Sequence, residues 1–181
     1  RASGLPGIIL CTSGPAATNT VTGISTAYAD SVPVLIFTGQ VPTPFLGSDA
    51  FQEADHIGIT RTCTKHNTLV RKTIDLPKAI AEALYISNTG RKGPVLVDMP
   101  KDVLIGESVF NFPKNVKISS YEDSVNLKST EYKNFMNVFK NSKKPLFIFG
   151  RGACSSSSKK YIIKLLKMFK SPALTSILAL G

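Results

Sequence analysis

Residues 7–19 read Gly7-Ile8-Ile9-Leu10-Cys11-Thr12-Ser13-Gly14-Pro15-Ala16-Ala17-Thr18-Asn19. The run Gly7 to Thr12 is short and apolar, the pattern of a buried parallel strand, because a strand covered on both faces does not alternate with polar residues. Ser13-Gly14-Pro15 breaks the run. The spacing then predicts a helix over Ala16 to Asp30, with Val21, Ile24, Ala27 and Tyr28 on its inner face. Val32 to Thr38 (VPVLIFT) is the clearest strand in the chain. Strand, tight turn, helix, strand is the start of a doubly wound α/β sheet.

The same alternation continues outward. Gly39 to Ala50 is a loop, with Pro42 and Pro44 blocking regular structure. A short helix is expected near Gln52 to Gly58 and a strand over Lys65 to Val70. Asp75 is expected to cap a helix to about Ser87 with Pro77 in its first turn, and Pro94 to Asp98 forms another buried strand. A boundary falls near Pro100 to Asp102. From there to about Lys128 the chain is polar and aperiodic and reads as a surface linker. A second unit opens with a helix at Thr130 to Asn141. It continues with a strand at Pro145 to Phe149, the turn Gly150-Arg151-Gly152, a helix capped from Ser155 to Ser158 and running to Lys170, and a strand at Ala173 to Ile177.

The 181 residues carry a net charge of +10, and 43% of them are hydrophobic, which provides for a packed core. The densest basic group, Lys159, Lys160, Lys164, Lys167 and Lys170, has helical spacing and interleaves with Ile162, Ile163, Leu165, Leu166 and Phe169. It is the wet face of an amphipathic helix rather than a nucleic-acid groove. No apolar run is long enough to span a bilayer. Cys11, Cys63 and Cys154 have neither paired nor zinc-ligand spacing and suit a reducing compartment. The ends, Arg1-Ala2-Ser3-Gly4 and Leu180-Gly181, read as cuts in something longer, so a targeting segment would not be visible.

Two segments carry candidate chemistry. Thr12 to Asn19 lies between strand and helix, where the ligand crevice of an open α/β sheet forms and where small residues admit a ligand to the backbone. Gly39 to Thr43 with Asp49 to Glu53 offers an apolar face in Phe51 and an amide in Gln52, one wall of a pocket. An ordinary tight turn and a core-plugging phenylalanine remain the plain alternatives. His56 and His66 have no triad or metal partners and read as structural. Asp30 and Asp98 read as capping or ion-pairing groups.

Taken in order, TSGPAATN (Thr12 to Asn19), DSVPVLIFTGQVP (Asp30 to Pro42), DAFQE (Asp49 to Glu53), DHIGIT (Asp55 to Thr60), TKHN (Thr64 to Asn67) and TGRKGPVLVDMPKDV (Thr89 to Val103) resemble the acetohydroxyacid synthase (acetolactate synthase) catalytic large subunit. That resemblance implies a thiamine-diphosphate enzyme. Residues 1–103 would be a pyrimidine-binding domain lacking its N-terminal part, 104–128 a linker, and 129–181 the start of a central FAD-binding domain. The implied reaction is decarboxylation of pyruvate and condensation with pyruvate or 2-oxobutyrate in branched-chain amino acid biosynthesis. Another thiamine-diphosphate carboligase, decarboxylase or oxidase, or a non-catalytic paralogue, is the alternative.

By position, the resemblance assigns Thr12, Pro15, Asn19 and Gln52 to thiamine diphosphate. It assigns Val41, Pro42, Ala50, Phe51 and Lys101 to the substrate channel, and Arg91, Gly150, Gly152 and Thr175 to FAD in a non-redox role. It places the activating glutamate upstream and the Mg2+ motif downstream, so these residues alone would hold no catalytic group and no metal, and would be inactive by themselves. It also implies a homodimer or tetramer with the active site at the subunit interface, a possible regulatory small subunit, and a plastid or bacterial cytoplasm. Neither nucleic acid nor membrane is implied as a partner. Ala16 replaces a family glycine, at a cost of about 1 kcal/mol if its φ is positive. Arg151 stands where the family has a small residue, and Ala179 replaces another glycine.

Overall fold

The computed structural model describes residues 3–119, 121, 127–154 and 156–180. The chain forms two compact units, residues 1–123 and 124–181.

The first unit is built on a four-stranded parallel sheet of β1 (Gly7–Cys11), β2 (Val34–Gln40), β3 (His66–Leu69) and β4 (Pro94–Pro100), in the order β1-β2-β4-β3. The fold class is therefore the one the strand–helix alternation implies: α/β with a parallel sheet. β2 and β4 lie in the middle, and every residue of β4 is buried. Neighbouring residues of these strands feed opposite faces. Leu35, Val95 and Val97 join Val70, Ala83, Ile86 and Val103 beneath α4 (Leu76–Asn88). Ile36 and Leu96 meet Ile24 and Cys63 on the other face, under α2 (Val21–Ala29).

Five local expectations are corrected. β1 is an edge strand, and Ile8 and Leu10 are 69% and 75% exposed, because no described element lies over its outer side. The helix expected over Ala16 to Asp30 is two helices, α1 (Pro15–Asn19) and α2, joined at Thr20. Thr18 and Thr20 each return a hydroxyl to a backbone carbonyl three residues back, competing with the helical ladder. Tyr28 is exposed while Ile24 is buried. The short helix α3 is His56–Thr60, not Gln52–Gly58, because the Asp55 carboxylate caps it by accepting from Gly58 N at 2.8 Å. Asp75 occupies the N-cap of α4 without a side-chain capping bond.

α2 ends with Ser31 at φ 55, and Val32 N donates to Ala27 O while Ser31 N donates to Tyr28 O. This is the paired pattern that closes helices at a left-handed residue, more often glycine. At the far end of α4, Lys65 Nζ donates to the Ile86 and Thr89 carbonyls and to Tyr121 OH, satisfying carbonyls the helix leaves open.

The second unit contains α6 (Thr130–Asn141), β5 (Phe147–Phe149), α7 (Ser156–Phe169) and β6 (Ala173–Thr175); α5 (Lys101–Ile105) belongs to the first. β5 and β6 pair in parallel. Ser129 caps α6 by accepting from Tyr132 N. The rings of Phe139, Phe147 and Phe169 meet at 4.8–6.1 Å between centroids and pack as an aromatic cluster. The five lysines from Lys159 to Lys170 are exposed. The expected cap at Ser155 and the linker residues 120 and 122–126 lie outside the described residues.

Candidate active site at the carboxyl ends of the strands

Cys11 pairs with Thr38, and Thr38 with Asp98, so β1, β2 and β4 end side by side. Three loops therefore leave one edge of the sheet together, the position of the ligand crevice in open α/β folds. A β-carbon on Gly39 would lie 3.4 Å from Ser13 N and 3.5 Å from Thr12 Cα, so the end of β2 abuts the turn after β1.

The turn itself depends on Gly14. Its dihedrals, φ 59 and ψ −121, are those of the first central position of a type II′ turn, which glycine alone adopts readily. A β-carbon there would lie 2.7 Å from Gln52 O and 2.9 Å from Gln52 Cα. Ala16, by contrast, sits inside α1 and is not among the positive-φ residues, so the cost expected at that position does not arise.

Gly14 therefore brings the turn of Thr12 and Pro15 against the turn of Phe51 and Gln52. Phe51 is 90% exposed, Gln52 is exposed with φ 59, and Ala50 is half-buried. The turn is closed locally by the Glu53 carboxylate, which accepts from Gly47 N and Ala50 N. Those backbone donors, Gly47 foremost, hold the Glu53 carboxyl below its usual range against some desolvation. Glu53 is thus committed to shaping the loop.

Gln40 pairs with Pro100, so Val41 and Lys101 leave the sheet as neighbours. Val41 is buried, Pro42 half-buried and Lys101 exposed. The two exits are tied together by Asp102, which accepts from Thr43 N at 2.9 Å and Thr43 Oγ1 at 2.5 Å. The Thr43 hydroxyl is the main reason the Asp102 carboxyl titrates below its ordinary value. Thr12, Pro15, Val41, Pro42, Ala50, Phe51, Gln52 and Lys101 thus cluster at one end of the sheet. Asn19 closes α1, which packs against α3.

Arg91 is elsewhere. It precedes β4 and so lies at the amino end of the sheet. Its Nε donates to Ser31 Oγ at 2.8 Å and its Nη2 approaches the Tyr28 and Ala29 carbonyls, at the carboxyl end of α2. In the second unit, Gly150 follows β5 and Thr175 ends β6 opposite Phe149. A β-carbon on Gly150 or Gly152 would meet nothing within 4 Å.

Under the first unit's cluster lies a buried polar group that the sequence reading did not assemble. Asp98, 1% exposed, accepts from Thr38 Oγ1 at 2.6 Å, His56 Nδ1 at 2.9 Å and Gln40 Nε2 at 3.1 Å. One signal was available: an aspartate inside the otherwise apolar PVLVDMP must be paired if the strand is central. Desolvation, and secondarily the Asp98 charge, raise the Cys11 thiol pKa above its ordinary value. Among the described residues no group of three or more His, Cys, Asp or Glu is placed to hold a metal, and no helix is long and apolar enough to cross a membrane.

The family described as thiamine pyrophosphate enzyme, N-terminal TPP binding domain, matches residues 1–59. The whole chain is 41% identical to the acetolactate synthase large subunit of Buchnera aphidicola subsp. Schizaphis graminum, over 32% of that protein. It is 44% identical to the acetolactate synthase large subunit of Porphyra purpurea over 31% of its length, and 38% identical to the isozyme 3 large subunit of Escherichia coli over 32% of its length. The chain thus spans about a third of the length of the curated relatives it matches.

Proposed function

Because this chain belongs to the acetolactate synthase large-subunit family of thiamine pyrophosphate enzymes, we propose that its first unit supplies half of a thiamine-diphosphate pocket in a ketoacid-condensing transferase. The reaction is decarboxylation of pyruvate and joining of the two-carbon remainder to a second 2-oxo acid, pyruvate or 2-oxobutyrate. The observation that carries the reading is the convergence of the Gly14 turn with the Gln52 turn, where a β-carbon would meet Gln52 O at 2.7 Å.

The residues fit the coenzyme. A neutral aminopyrimidine calls for hydrogen-bonding groups without a fixed charge, and Thr12, Asn19 and the Gln52 amide provide them. Pro15 and Phe51 offer apolar surface beside those groups. When bound, thiamine diphosphate supplies the electron sink that decarboxylation of a 2-oxo acid requires. Val41, Pro42, Ala50 and Phe51 line the approach and keep water from the reacting carbon. Lys101, exposed beside Val41, attracts the substrate carboxylate. A pocket walled on one side only, with Phe51 90% exposed, is completed by a second subunit, so the working unit is a homodimer or tetramer, with a regulatory small subunit as a further partner.

No Mg2+-holding role is assigned to these residues. For FAD, the open space above Gly150 and Gly152 supports close approach of a ligand, since the fold itself does not require glycine there. Thr175 lies on the neighbouring strand end. Arg91, in the first unit, has an exposed guanidinium of the kind that binds a diphosphate, and its role toward FAD is proposed from the family resemblance alone. Residues 1–103 form the pyrimidine-binding part, 104–128 the connection and 129–181 the flavin-binding part. The protein acts in branched-chain amino acid biosynthesis, in a plastid or a bacterial cytoplasm.

The test is the full-length gene product with pyruvate, thiamine diphosphate and Mg2+, scored by colorimetric detection of acetoin after acid decarboxylation. Acetolactate is the expected product. Its absence from a folded, cofactor-loaded protein would overturn the reading in favour of another thiamine-diphosphate activity or a non-catalytic paralogue.

A further inference from the structure

Gln40 is the last residue of β2, is 6% exposed, and uses its whole amide inside the protein. Its Nε2 donates to Ala54 O at 2.8 Å and to Asp98 Oδ2 at 3.1 Å, while its Oε1 accepts from Val41 N at 2.8 Å. These partners fix the amide orientation, because a backbone N–H must meet the oxygen and a carbonyl must meet the nitrogen. Val41 opens the loop that runs to residue 54, and Ala54 closes it just after Gln52. One side chain therefore ties both ends of that loop to the end of β4.

The anchor is itself held. Asp98 is fixed by the Thr38 hydroxyl and by His56 Nδ1, and His56 begins α3, directly after the loop. A carboxylate only accepts, so His56 Nδ1 carries the proton toward Asp98, and the 3.4 Å approach of Gln40 Nε2 to that nitrogen is not a hydrogen bond. The other loop contacts described above do not do this work. Glu53 closes residues 47–53 on themselves, and Thr43 binds Asp102. Neither ties the Gln52 turn to β2.

We propose that Gln40, anchored on Asp98, is the positioning residue of this site: it sets the separation between Val41–Pro42 and Phe51–Gln52, and hence the width of the half-pocket. The inference rests on the thiamine-diphosphate reading above. Gln40 touches no reacting atom. It acts by keeping Gln52 aimed and the channel residues in register.

The experiment compares wild type with Gln40→Met, of equal length but without hydrogen-bonding groups, in the full-length protein. Thiamine-diphosphate affinity is read by calorimetric titration, KM and kcat with pyruvate, and thermal midpoint without ligand. The expected result is about a tenfold or greater loss of coenzyme affinity and a raised KM, with a midpoint within a few degrees of wild type. Affinity and KM within about twofold of wild type would overturn the positioning role. Failure of the wild type to bind the coenzyme would instead overturn the functional reading on which it rests. Hydrogen exchange of the ligand-free wild type tests the clamp even if the variant does not fold. The Val41 amide is expected to exchange at least about a hundredfold more slowly than an unstructured amide. Exchange at the unstructured rate would overturn it.

Discussion

Replacing Gly14 by alanine places a methyl group where two candidate loops touch. The new carbon would sit 2.7 Å from Gln52 O and 2.9 Å from Gln52 Cα and Cβ, whereas ordinary contacts begin at 3.4 Å. The Gln52 turn would have to retreat by roughly 0.7 Å, and crowding of this kind costs about 1–3 kcal/mol. Gln52 already holds φ 59, so its backbone has little freedom to yield. Alanine at φ 59, ψ −121 adds about 1–2 kcal/mol of backbone strain. The total is about 2–5 kcal/mol, a fall in thermal midpoint on the order of 10 °C. Ala16→Gly is the matched control: Ala16 lies in α1, so glycine there should destabilise by about 0.5–1 kcal/mol. Denaturant unfolding of both variants, with coenzyme titration alongside, checks the reasoning. Gly14→Ala within about 0.5 kcal/mol of wild type, or a stabilised Ala16→Gly, would refute it.

Asp102 and Glu53 are held below their ordinary values of 3.8 and 4.5. Between each ordinary value and the lowered folded one, the unfolded chain binds more protons. The stability they contribute is therefore complete above about pH 5 and lost as pH falls through the folded values, and Thr43→Val should flatten the Asp102 share of an acid-unfolding profile. Cys11, raised above 9.0, is expected to alkylate more slowly at pH 7.5 than a free thiol, with its pH–rate midpoint shifted upward; a midpoint at or below 9.0 would contradict this. Arg91→Ala is expected to weaken FAD retention through gel filtration. It should also cost about 0.5–1 kcal/mol, because its bonds to Ser31 and the end of α2 are lost.

The fold was legible where a single interaction decides local structure. VPVLIFT and PVLVDMP are apolar but for Thr38 and Asp98 because β2 and β4 are covered on both faces, and the start of α6 is set by Ser129. It was less legible where tertiary position decides. GIILC carries the same apolar signal as a central strand, yet β1 is an edge, and no local pattern encodes strand order. The break at Thr20 and the shift of α3 to His56–Thr60 came from side-chain bonds by threonine and Asp55 that compete with a continuous helix.

At the site, the meeting of the two loops was legible through motif resemblance alone. The physical requirement for glycine lies at Gly14, not at position 16, and only backbone geometry reveals which residue takes the positive φ. Gln40, Asp98, Thr38 and His56 are spread over 61 residues, so their network follows from strand register rather than spacing. The separation of Arg91 from the strand-end cluster is equally a matter of topology: it sits at the opposite end of β4 from Lys101.

The most direct measurement is a crystal structure of the full-length protein with thiamine diphosphate bound. The pyrimidine ring is expected within about 4 Å of the Gly14 turn and the Gln52 side chain, with a second subunit closing the other side. A coenzyme seated away from the carboxyl ends of β1 and β2, with Gln52 facing solvent, would contradict the assignment.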